Sequence, residues 1–334
     1  MTTTERIYRI AVDAMGGDNA PSEVIAGAID ASSNSDISIQ LVGVPKLLEP
    51  ELAKYSIDDK SLIVIPAENH ISENEHPAVA MRQKPKASII VSTSLVKKGI
   101  ADANVSMGSS GATMAAAAII LGTLNGIERP AIGGPLLGFS PNMVILDAGA
   151  NVDCKPSQLL SFAIMGEIFS KYVYKIPNPR VALLSVGSED EKGNKQVKET
   201  SAILKTTNLN FIGNVEANDL MHNPADVVVC DGFVGNILMK LTEGLGGEIS
   251  KYLKSKLSAK LNSNDLSDLS NEIYNMHNIA ESRGGGPLFG VNGVSIIGHG
   301  KAKSGTVSRA IQTAKWCVEI DLVSKLKSGL SSIK

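Results

Sequence analysis

The chain has 334 residues, of which 43% are apolar and 20% charged, and its 32 basic and 34 acidic residues leave a formal net charge of −2. This length allows a substantial core, in one large domain or two smaller ones. The balanced charge and the 4% of aromatic residues argue against nucleic acid as a partner, because neither phosphates nor bases would find a suitable surface. No apolar run has signal-peptide character or approaches the ~20 residues of a membrane span, so we expect a cytoplasmic protein.

The cysteines, Cys154, Cys230 and Cys317, are widely separated and show neither a CxxC spacing nor a neighbouring histidine. This pattern argues against a disulfide framework and against a structural zinc site. We therefore expect no metal and no other cofactor.

Short runs rich in β-branched residues alternate with segments of helical spacing. Strands are predicted at 7–12, 37–42, 62–65, 103–105, 143–146, 181–186 and 227–230. Helices are predicted at 22–31, 89–98, 113–121, 157–173 and 195–204. This alternation predicts an α/β fold with a mostly parallel sheet flanked by helices.

Polar, glycine-bearing loops follow five of the predicted strands, at 13–18, 108–111, 147–151, 187–194 and 231–236. In a parallel sheet the carboxyl ends of the strands share one edge, and ligands bind there. We therefore expect the five loops to converge on one site.

The chain shows no internal repeat and no linker, so residues 1–334 are predicted to form a single domain. The segment at about 246–283 is richer in Lys, Ser and Asn, and we expect it to be helical and to project from the body. Within it, residues 258–270 are predicted to be loose.

The loop Gly108-Ser-Ser-Gly111 precedes an Ala-rich helix. Free N–H groups at a helix start, with the hydroxyls of Ser109 and Ser110, suit an anion such as phosphate. The same residues are equally typical of an ordinary helix cap.

Lys192 and Asn194 lie in a loop with three acidic residues, Glu189, Asp190 and Glu191. Such a loop is usually a solvated turn, in which Lys192 would pair with a neighbouring glutamate. Its place after an apolar strand favours a second interpretation, in which Lys192 neutralises a developing oxyanion and Asn194 donates a hydrogen bond.

Asp231 and Asn236 allow the same two interpretations, and Gly232 and Gly235 indicate that a ligand or another strand approaches closely. His299 lies between two glycines and is a candidate acid or base, although a lone histidine is often a turn residue. The absence of a GxSxG motif gives no support for an acyl-enzyme.

Long motifs along the chain resemble those of the bacterial PlsX-type phosphate acyltransferases. They are Ala11-Val-Asp-Ala-Met-Gly-Gly-Asp-Asn-Ala-Pro21, Asp147-Ala-Gly-Ala-Asn-Val-Asp-Cys-Lys-Pro156, Lys192-Gly-Asn194, Asn208–Glu216, Ala225–Asn236 and Gly285-Gly-Pro-Leu-Phe-Gly290. The resemblance spans nearly the whole chain. It implies a fold like that of phosphotransacetylases and the isopropylmalate dehydrogenase group, a homodimer, and transfer of an acyl group from acyl carrier protein to inorganic phosphate. The acyl phosphate would then supply phospholipid synthesis.

Two motifs depart from the family pattern. The family commonly has Gly-Asn-Thr-Gly-Ala where this chain has Gly108-Ser-Ser-Gly-Ala112, and often has His-Gly-Ser-Ser where this chain has His299-Gly-Lys-Ala-Lys303. Asp13 and Asp18 would repel phosphate, so we expect them to orient Lys or Arg side chains and backbone donors around the site, or to have a structural role only.

The predicted catalytic residues are Lys192, Asn194, Asp231 and His299. The predicted substrate-binding residues are Asp13, Gly16, Gly17, Asp18, Ser109, Ser110, Gly111, Asp147, Asn151, Gly232 and Asn236. The alternatives are a phosphotransacetylase that acts on short acyl-CoA and a non-catalytic scaffold that binds acyl carrier protein. A dehydrogenase is disfavoured because no GxGxxG follows the first strand.

An apolar stripe at helical spacing runs through residues 245–261. It comprises Leu245, Ile249, Tyr252, Leu253, Leu257 and Leu261. A helix of this kind can lie weakly on an anionic membrane surface, pack in a dimer, or belong to the core. We therefore expect a cytoplasmic protein. A peripheral contact with the membrane is one of the roles that this stripe can have.

Overall fold

The computed structural model describes residues 6–34, 36–56, 61–258 and 260–332, and the chain forms two compact units. Unit 1 contains the described residues of Met1–Pro130 and Arg283–Lys327, and unit 2 those of Ala131–Ser282 and Ser328–Lys334. The single domain and the projecting segment stay predictions.

The strands are β1 (Tyr8–Asp13), β2 (Ile37–Gly43), β3 (Leu62–Pro66), β4 (Ala103–Ser106), β5 (Ala131–Pro135), β6 (Val144–Leu146), β7 (Val181–Leu184), β8 (Phe211–Val215), β9 (Val227–Val229), β10 (Gly286–Phe289) and β11 (Val294–Ile297). The helices are α1 (Ser22–Ser32), α2 (Pro45–Leu52), α3 (Pro77–Gln83), α4 (Ser88–Lys97), α5 (Ser110–Ala116), α6 (Pro156–Val173), α7 (Lys195–Leu204), α8 (Gly232–Leu257), α9 (Ser263–His277), α10 (Ile279–Ser282), α11 (Ser304–Glu319) and α12 (Leu322–Ser332). A π-helical turn at Ala117–Leu121 continues α5, and a 3₁₀ turn lies at Asp219–His222.

In unit 1 the strand order is β3-β2-β1-β4-β11-β10, and all pairs are parallel except β10 with β11. Helices α1 and α11 pack against each other, while α4 packs against β1 and β4. The central strands contribute fully buried side chains such as Ile10, Ile39 and Val105. Burial on both faces explains why these strands read as continuous apolar runs. The loops after β1, β4 and β11 therefore leave at one edge.

In unit 2 the strand order is β5-β6-β9-β7-β8, and all pairs are parallel except β5 with β6. Helix α6 packs against β6 and β9 and buries Phe162 and Met165 completely. The loops after β6, β7 and β9 share one edge, and they lead directly into α6, α7 and α8.

The predicted α/β class and each of the predicted strands and helices are confirmed, with ends shifted by at most three residues when the π-helical turn is counted with α5. Strands β5, β8, β10 and β11 were not predicted. The first three contain glycine, proline or asparagine, residues that are depleted from strands. Long-range pairing overrides that local preference.

The prediction of a loose segment at 258–270 is wrong over residues 263–270, which are the first part of α9. Asn262 caps this helix, since its Oδ1 accepts from the N–H of Asp265 at 2.9 Å. Packing against α8 then stabilises it: Ser250 Oγ on α8 donates to the carbonyl of Ser270 at 2.8 Å.

Among the described residues, no helix has the length and apolar character needed to cross a membrane.

Candidate functional site

Three loops of unit 1 meet at the carboxyl edge of its sheet. The N–H of Asp18, after β1, donates to the carbonyl of Gly300, after β11, at 2.7 Å. A Cβ on Gly16 would lie 2.6 Å from the nitrogen of Gly108, so only glycine lets the loops after β1 and β4 pack so closely. Gly17 adopts a φ of +102°, which side chains rarely tolerate. The two glycines in the loop after β1 thus permit the packing of unit 1's own loops.

The carboxylate of Asp13 is buried in this unit, with 4% of the residue exposed. It accepts from Ser106 Oγ at 2.8 Å and from the N–H of Met15 at 3.2 Å. Burial raises the pKa of Asp13, and the hydrogen bonds of Ser88 and Ser106 partly oppose that shift. Among the described residues no Lys or Arg forms an ion pair with Asp13 or Asp18, whereas Asp13 does orient a backbone donor, and a role of either carboxylate at a substrate site stays a prediction. The Asp13 carboxylate accepts hydrogen bonds from the Ser106 hydroxyl and from the N–H of Met15 at the start of its own loop.

The raised pKa of Asp13 predicts a pH dependence of stability. The folded protein binds the Asp13 proton more tightly than the unfolded chain, whose carboxyl titrates near 3.9. This contribution to stability is complete below the unfolded pKa and is lost as pH rises through the folded pKa. We expect the wild-type unfolding free energy, relative to Asp13→Asn, to fall over that range in urea titrations. Exposed Asp18→Asn is the control, and a flat difference for Asp13→Asn would contradict the assignment.

Ser109 is the N-cap of α5, because its Oγ accepts from the N–H of Ala112 at 3.3 Å. This is the ordinary cap that the sequence also allowed. Ser110 is exposed at the first position of the helix, and Gly111 faces Pro77, whose Cγ would lie 3.1 Å from a Cβ there. His299 is half-buried, and its Nδ1 accepts from the N–H of Lys301 at 3.3 Å. Binding of substrate by Ser110, Gly111 or His299 stays a prediction.

In unit 2 the carboxylate of Asp147 is completely buried and organises the loop after β6. Its donors are the N–H groups of Ile132 (3.1 Å), Gly149 (3.2 Å), Ala150 (3.0 Å) and Asn151 (2.7 Å) and the Nδ2 of Asn151 (2.8 Å). Burial raises the pKa of the Asp147 carboxyl, and these hydrogen bonds oppose the shift. The oxygens that the sequence suggested for a substrate are therefore committed to the protein's own backbone.

The glycines at the start of α8 pack against this same loop. The N–H of Gly232 donates to the carbonyl of Asn151 at 2.7 Å, and a Cβ on Gly235 would overlap the carbonyl oxygen of Asp147. Asn236 lies beside Gly149, where a Cβ would be 3.4 Å from the Asn236 Oδ1. The sequence indicated that a ligand or another strand approaches Gly232 and Gly235 closely. In the structure it is the backbone of the loop after β6 that does so.

A cavity of about 580 Å³ lies where the loops of unit 2 lead into α6, α7 and α8. It is lined by Val152, Asp153, Cys154, Asn194, Lys195, Gln196, Asp231 and Phe233. Asn194 caps α7 by accepting from the N–H of Val197 at 2.9 Å, and Asp231 caps α8 by accepting from Val234 at 2.8 Å. The structure thus brings together two predicted catalytic residues and also gives each a structural role.

The starts of α7 and α8 leave N–H groups at this cavity. Those of Lys195, Gln196 and Phe233 have no acceptor within the part of the chain that the structure describes. Such groups at the positive ends of helix dipoles attract anions. These N–H groups favour a negatively charged ligand at the helix-start end of the cavity, which Asp153 and Asp231 also line.

Lys192 does not line the cavity but lies two residues before Asn194. Its side chain is exposed, and its Cγ would lie 2.7 Å from a Cβ on Gly187, so the stem covers that glycine. In the described ranges Lys192 forms no ion pair with Glu189 or Glu191. The surface ion pair is therefore not formed in the described part of the chain, although Glu189 Oε2, 2.9 Å from the same Cβ position on Gly187, lies beside the stem of Lys192.

The structure places two of the predicted loops in unit 1 and three in unit 2, and contacts link the loops within each unit. A single site made of all five stays a prediction. Gln196 was not predicted, although it lies two residues after the Asn194 cap, and its Nε2 donates to the carbonyl of Cys154 at 2.6 Å. Ser106 was also not predicted, although a polar residue at the end of a buried strand was the available signal.

Comparison with known proteins identifies a family for nearly the whole chain. The sequence profile of a family described as fatty acid synthesis protein matches residues 8–325. A phosphate acyltransferase of Desulfitobacterium hafniense (strain DSM 10664 / DCB-2) is 44% identical over 327 residues, covering 96% of this chain and 97% of the relative. One of Nostoc sp. (strain PCC 7120) is 43% identical and covers 96% and 95%.

Solved structures agree at the level of the fold. A phosphotransacetylase from Streptococcus pyogenes superposes with a TM-score of 0.62 at 18% identity, covering 94% of each chain. A branched-chain phosphotransacylase from Enterococcus faecalis V583 gives 0.56 at 14% identity, covering 93% of this chain and 99% of that one. These identities are too low to carry a substrate across, so the family rests on the sequence relatives: the chain belongs to the phosphate acyltransferase family of fatty acid synthesis proteins.

Proposed function

We propose that this protein is an acyltransferase that moves a fatty acyl group from the thioester of acyl carrier protein to inorganic phosphate. The products are an acyl phosphate, which supplies phospholipid synthesis, and the free thiol of the carrier. The observation that carries the proposal is the anion-attracting cavity of unit 2 in a chain of the phosphate acyltransferase family.

One end of the cavity offers hydrogen-bond donors to a phosphate, while Asp153 and Asp231 also line it. The N–H groups of Lys195, Gln196 and Phe233 can donate to phosphate oxygens, and the dipoles of α7 and α8 favour the negative charge. The carboxylate of Asp231 is turned toward the N–H of Val234 as a cap, which reduces its repulsion of an anion. We assign phosphate binding to this end of the cavity.

In the reaction, a phosphate oxygen attacks the thioester carbonyl carbon, and a tetrahedral intermediate forms. Its oxyanion needs a donor or cation, which we assign to Lys192 with the Nδ2 of Asn194. Collapse of the intermediate breaks the carbon–sulfur bond, and the thiolate takes up a proton. No covalent bond to the protein is required, because positioning and charge stabilisation suffice.

The proposal is tested by supplying phosphate with either long-chain acyl-acyl carrier protein or acetyl-CoA and measuring which thiol is released. Hydroxylamine trapping of acyl phosphate from the carrier-bound substrate supports it. Thiol release from acetyl-CoA alone would make the protein a phosphotransacetylase. Carrier binding without any trapped product would make it a non-catalytic scaffold.

The long helix α8 shows an unusual distribution of apolar residues. The side that faces α9 carries small buried residues, Thr242, Gly246 and Ser250. Large side chains lie exposed along the α8 stripe, which we define as Val234, Ile237, Leu241, Leu245, Ile249 and Tyr252, with exposed fractions of 38–60%. The stripe predicted from residue 245 onward therefore begins earlier, and its Leu253 and Leu257 are half-buried. We propose that the α8 stripe is the homodimer interface.

This assignment predicts that Leu241→Glu yields a monomer. The side chain is 58% exposed in the isolated chain, so the charge should disturb association and leave the fold intact. Sedimentation equilibrium is expected to show half the wild-type mass, with unchanged circular dichroism. Exposed Lys254→Glu, on the same helix but outside the stripe, is the control. A dimeric Leu241→Glu protein would contradict the assignment.

A weak contact with anionic membranes through the end of α8 is the alternative use of the stripe. Cosedimentation with anionic vesicles tests it. The stripe would be assigned to the membrane instead of the dimer by two results together. Vesicle binding would be abolished by Leu245→Glu and weakened by salt, and neither change would alter the mass of the protein in solution.

A further inference from the structure

The cavity of unit 2 combines polar helix starts with exposed apolar residues. Val152 and Phe233 both line it, and they are 60% and 56% exposed, whereas Phe162 on α6 is completely buried. One exposed apolar residue is ordinary on a protein surface, but two in one cavity give it the apolar lining that small-molecule sites have. The phosphate assigned to this cavity contacts backbone N–H groups, which leaves the apolar lining without a use.

Hydrogen bonds between neighbouring backbone groups hold this lining in place. Gly232 and Asn151, which precede the two apolar residues in sequence, are joined because the N–H of Gly232 donates to the carbonyl of Asn151 at 2.7 Å. Gln196 Nε2 donates to the carbonyl of Cys154 at 2.6 Å, which ties the start of α7 to the same loop. The starts of α7 and α8 and the loop after β6 are thus connected, and the apolar lining is a formed part of unit 2.

Phe233 belongs to both kinds of lining. Its N–H group has no acceptor in the part of the chain that the structure describes, and it is one of the donors that the cavity offers to an anion. A phosphate held at that N–H is only a side chain's length from the apolar surface of the same residue. In an acyl phosphate the acyl carbon is bonded directly to a phosphate oxygen. The first methylenes of the chain must therefore lie equally close to the bound phosphate.

We propose that Val152 and Phe233 bind the first methylenes of the fatty acyl chain and make the enzyme prefer long acyl groups over acetyl. The inference rests on the proposed function, since it names the part of the substrate that the apolar side of the cavity holds. The volume of about 580 Å³ falls within the ~300–1,000 Å³ that small-molecule sites typically have. Contact between methylenes and apolar side chains is favourable without any hydrogen bond.

The acyl chain fits this lining better than the pantetheine arm of the carrier does. The arm carries amide groups, and burial of an amide without a hydrogen-bond partner is costly. The side chains of Val152 and Phe233 provide neither donor nor acceptor. Asp153 and Asp231 also line the cavity, so we expect the chain to lie against the apolar pair and away from these carboxylates. Binding of the arm is made an outcome of the test.

Binding of alkyl phosphates tests the proposal without turnover. Ethyl, butyl, hexyl and octyl phosphate resemble the acyl phosphate, because each joins an apolar chain to a phosphate. In calorimetric titrations we expect the wild-type association constant to rise about threefold for each methylene that contacts the lining. This rise should largely disappear in Val152→Ala with Phe233→Ala, while inorganic phosphate still binds because the backbone N–H groups remain. Val186→Ala is the control, since Val186 is 82% exposed in the loop after β7 and does not line the cavity.

The kinetic test uses small-thiol thioesters of acetyl, butyryl and octanoyl groups with phosphate. The ratio of kcat/KM for octanoyl to that for acetyl should fall about tenfold or more in the double variant. Phe233→Leu with wild-type Val152 keeps an apolar side chain and should retain most of the wild-type ratio. Circular dichroism checks the fold, and Val152→Thr with Phe233→Gln replaces the alanine pair if that pair does not fold.

Four results would overturn the proposal. The wild-type affinity for alkyl phosphates would not rise with chain length, or the double variant would keep the wild-type rise. Equal losses of kcat/KM for every chain length would assign the two residues to the thiol arm or to the fold. A monomeric Phe233→Ala protein beside a dimeric wild type would place Phe233 in the subunit interface. If wild type releases no thiol from any thioester, the carrier substrate included, the proposed function fails, and the alkyl phosphates alone decide whether the apolar site exists.

Discussion

Replacement of Lys192 by alanine is expected to lower turnover by about a hundredfold or more, because loss of one donor to a developing oxyanion costs ~3–4 kcal/mol of transition-state stabilisation. The free energy of unfolding should change by less than about 1 kcal/mol, since the side chain is exposed and forms no ion pair with Glu189 or Glu191 in the described ranges. Single-turnover rates with saturating phosphate, together with urea denaturation, measure the two quantities.

Lys198→Ala is the matched control, because Lys198 is exposed on α7 and does not line the cavity. It should retain the wild-type rate. A Lys192→Ala protein with normal turnover would return the 187–194 loop to the role of a solvated turn. A turnover rate of Lys192→Arg between those of Lys192→Ala and wild type would support a charge effect over a packing effect.

Replacement of Asp147 by alanine is expected to lower the free energy of unfolding by about 3 kcal/mol or more. The change removes the acceptor of four backbone N–H groups and of the Asn151 amide, and each buried donor left unsatisfied costs about 1–3 kcal/mol. Urea titration followed by circular dichroism measures the loss.

Asp153→Ala provides the comparison for stability, because Asp153 lies exposed in the loop that leads into α6. It should unfold at the wild-type urea concentration. If Asp147→Ala is as stable as wild type but no longer binds phosphate, the carboxylate has the substrate-binding role that the sequence suggested, and our structural assignment is wrong.

Most of the strands that were predicted correctly are buried on both faces; the exception is the edge strand β3, in which Ile63 and Val64 are exposed. Ile10–Val12, Val144–Leu146 and Val227–Val229 are fully or almost fully buried, so burial alone selects apolar residues there. Local composition failed where pairing decided the structure. Strand β8 contains Gly213 with a φ of +99° and Asn214, and it forms because it pairs with β7 despite an irregular register.

The candidate site was predictable as a set of positions but not as a set of roles. Parallel strands place every following loop at one edge of their sheet, so Asn194 and Asp231 could be expected near one another within unit 2. Their hydrogen bonds could not be expected. A carboxylate or amide at the start of a helix can serve the helix or a ligand, and the residue type is the same in both cases.

The sequence by itself determined the family, the α/β class and the order of most strands and helices, because long motifs and apolar periodicity are written in consecutive residues. Only the tertiary structure decided that the Asp147 carboxylate accepts hydrogen bonds from its own loop and that backbone packs against Gly232 and Gly235. It also decided that large apolar residues of α8 lie exposed. These roles depend on which distant segments come within a few ångströms. Those distances follow from the packing of whole elements, which no local pattern records.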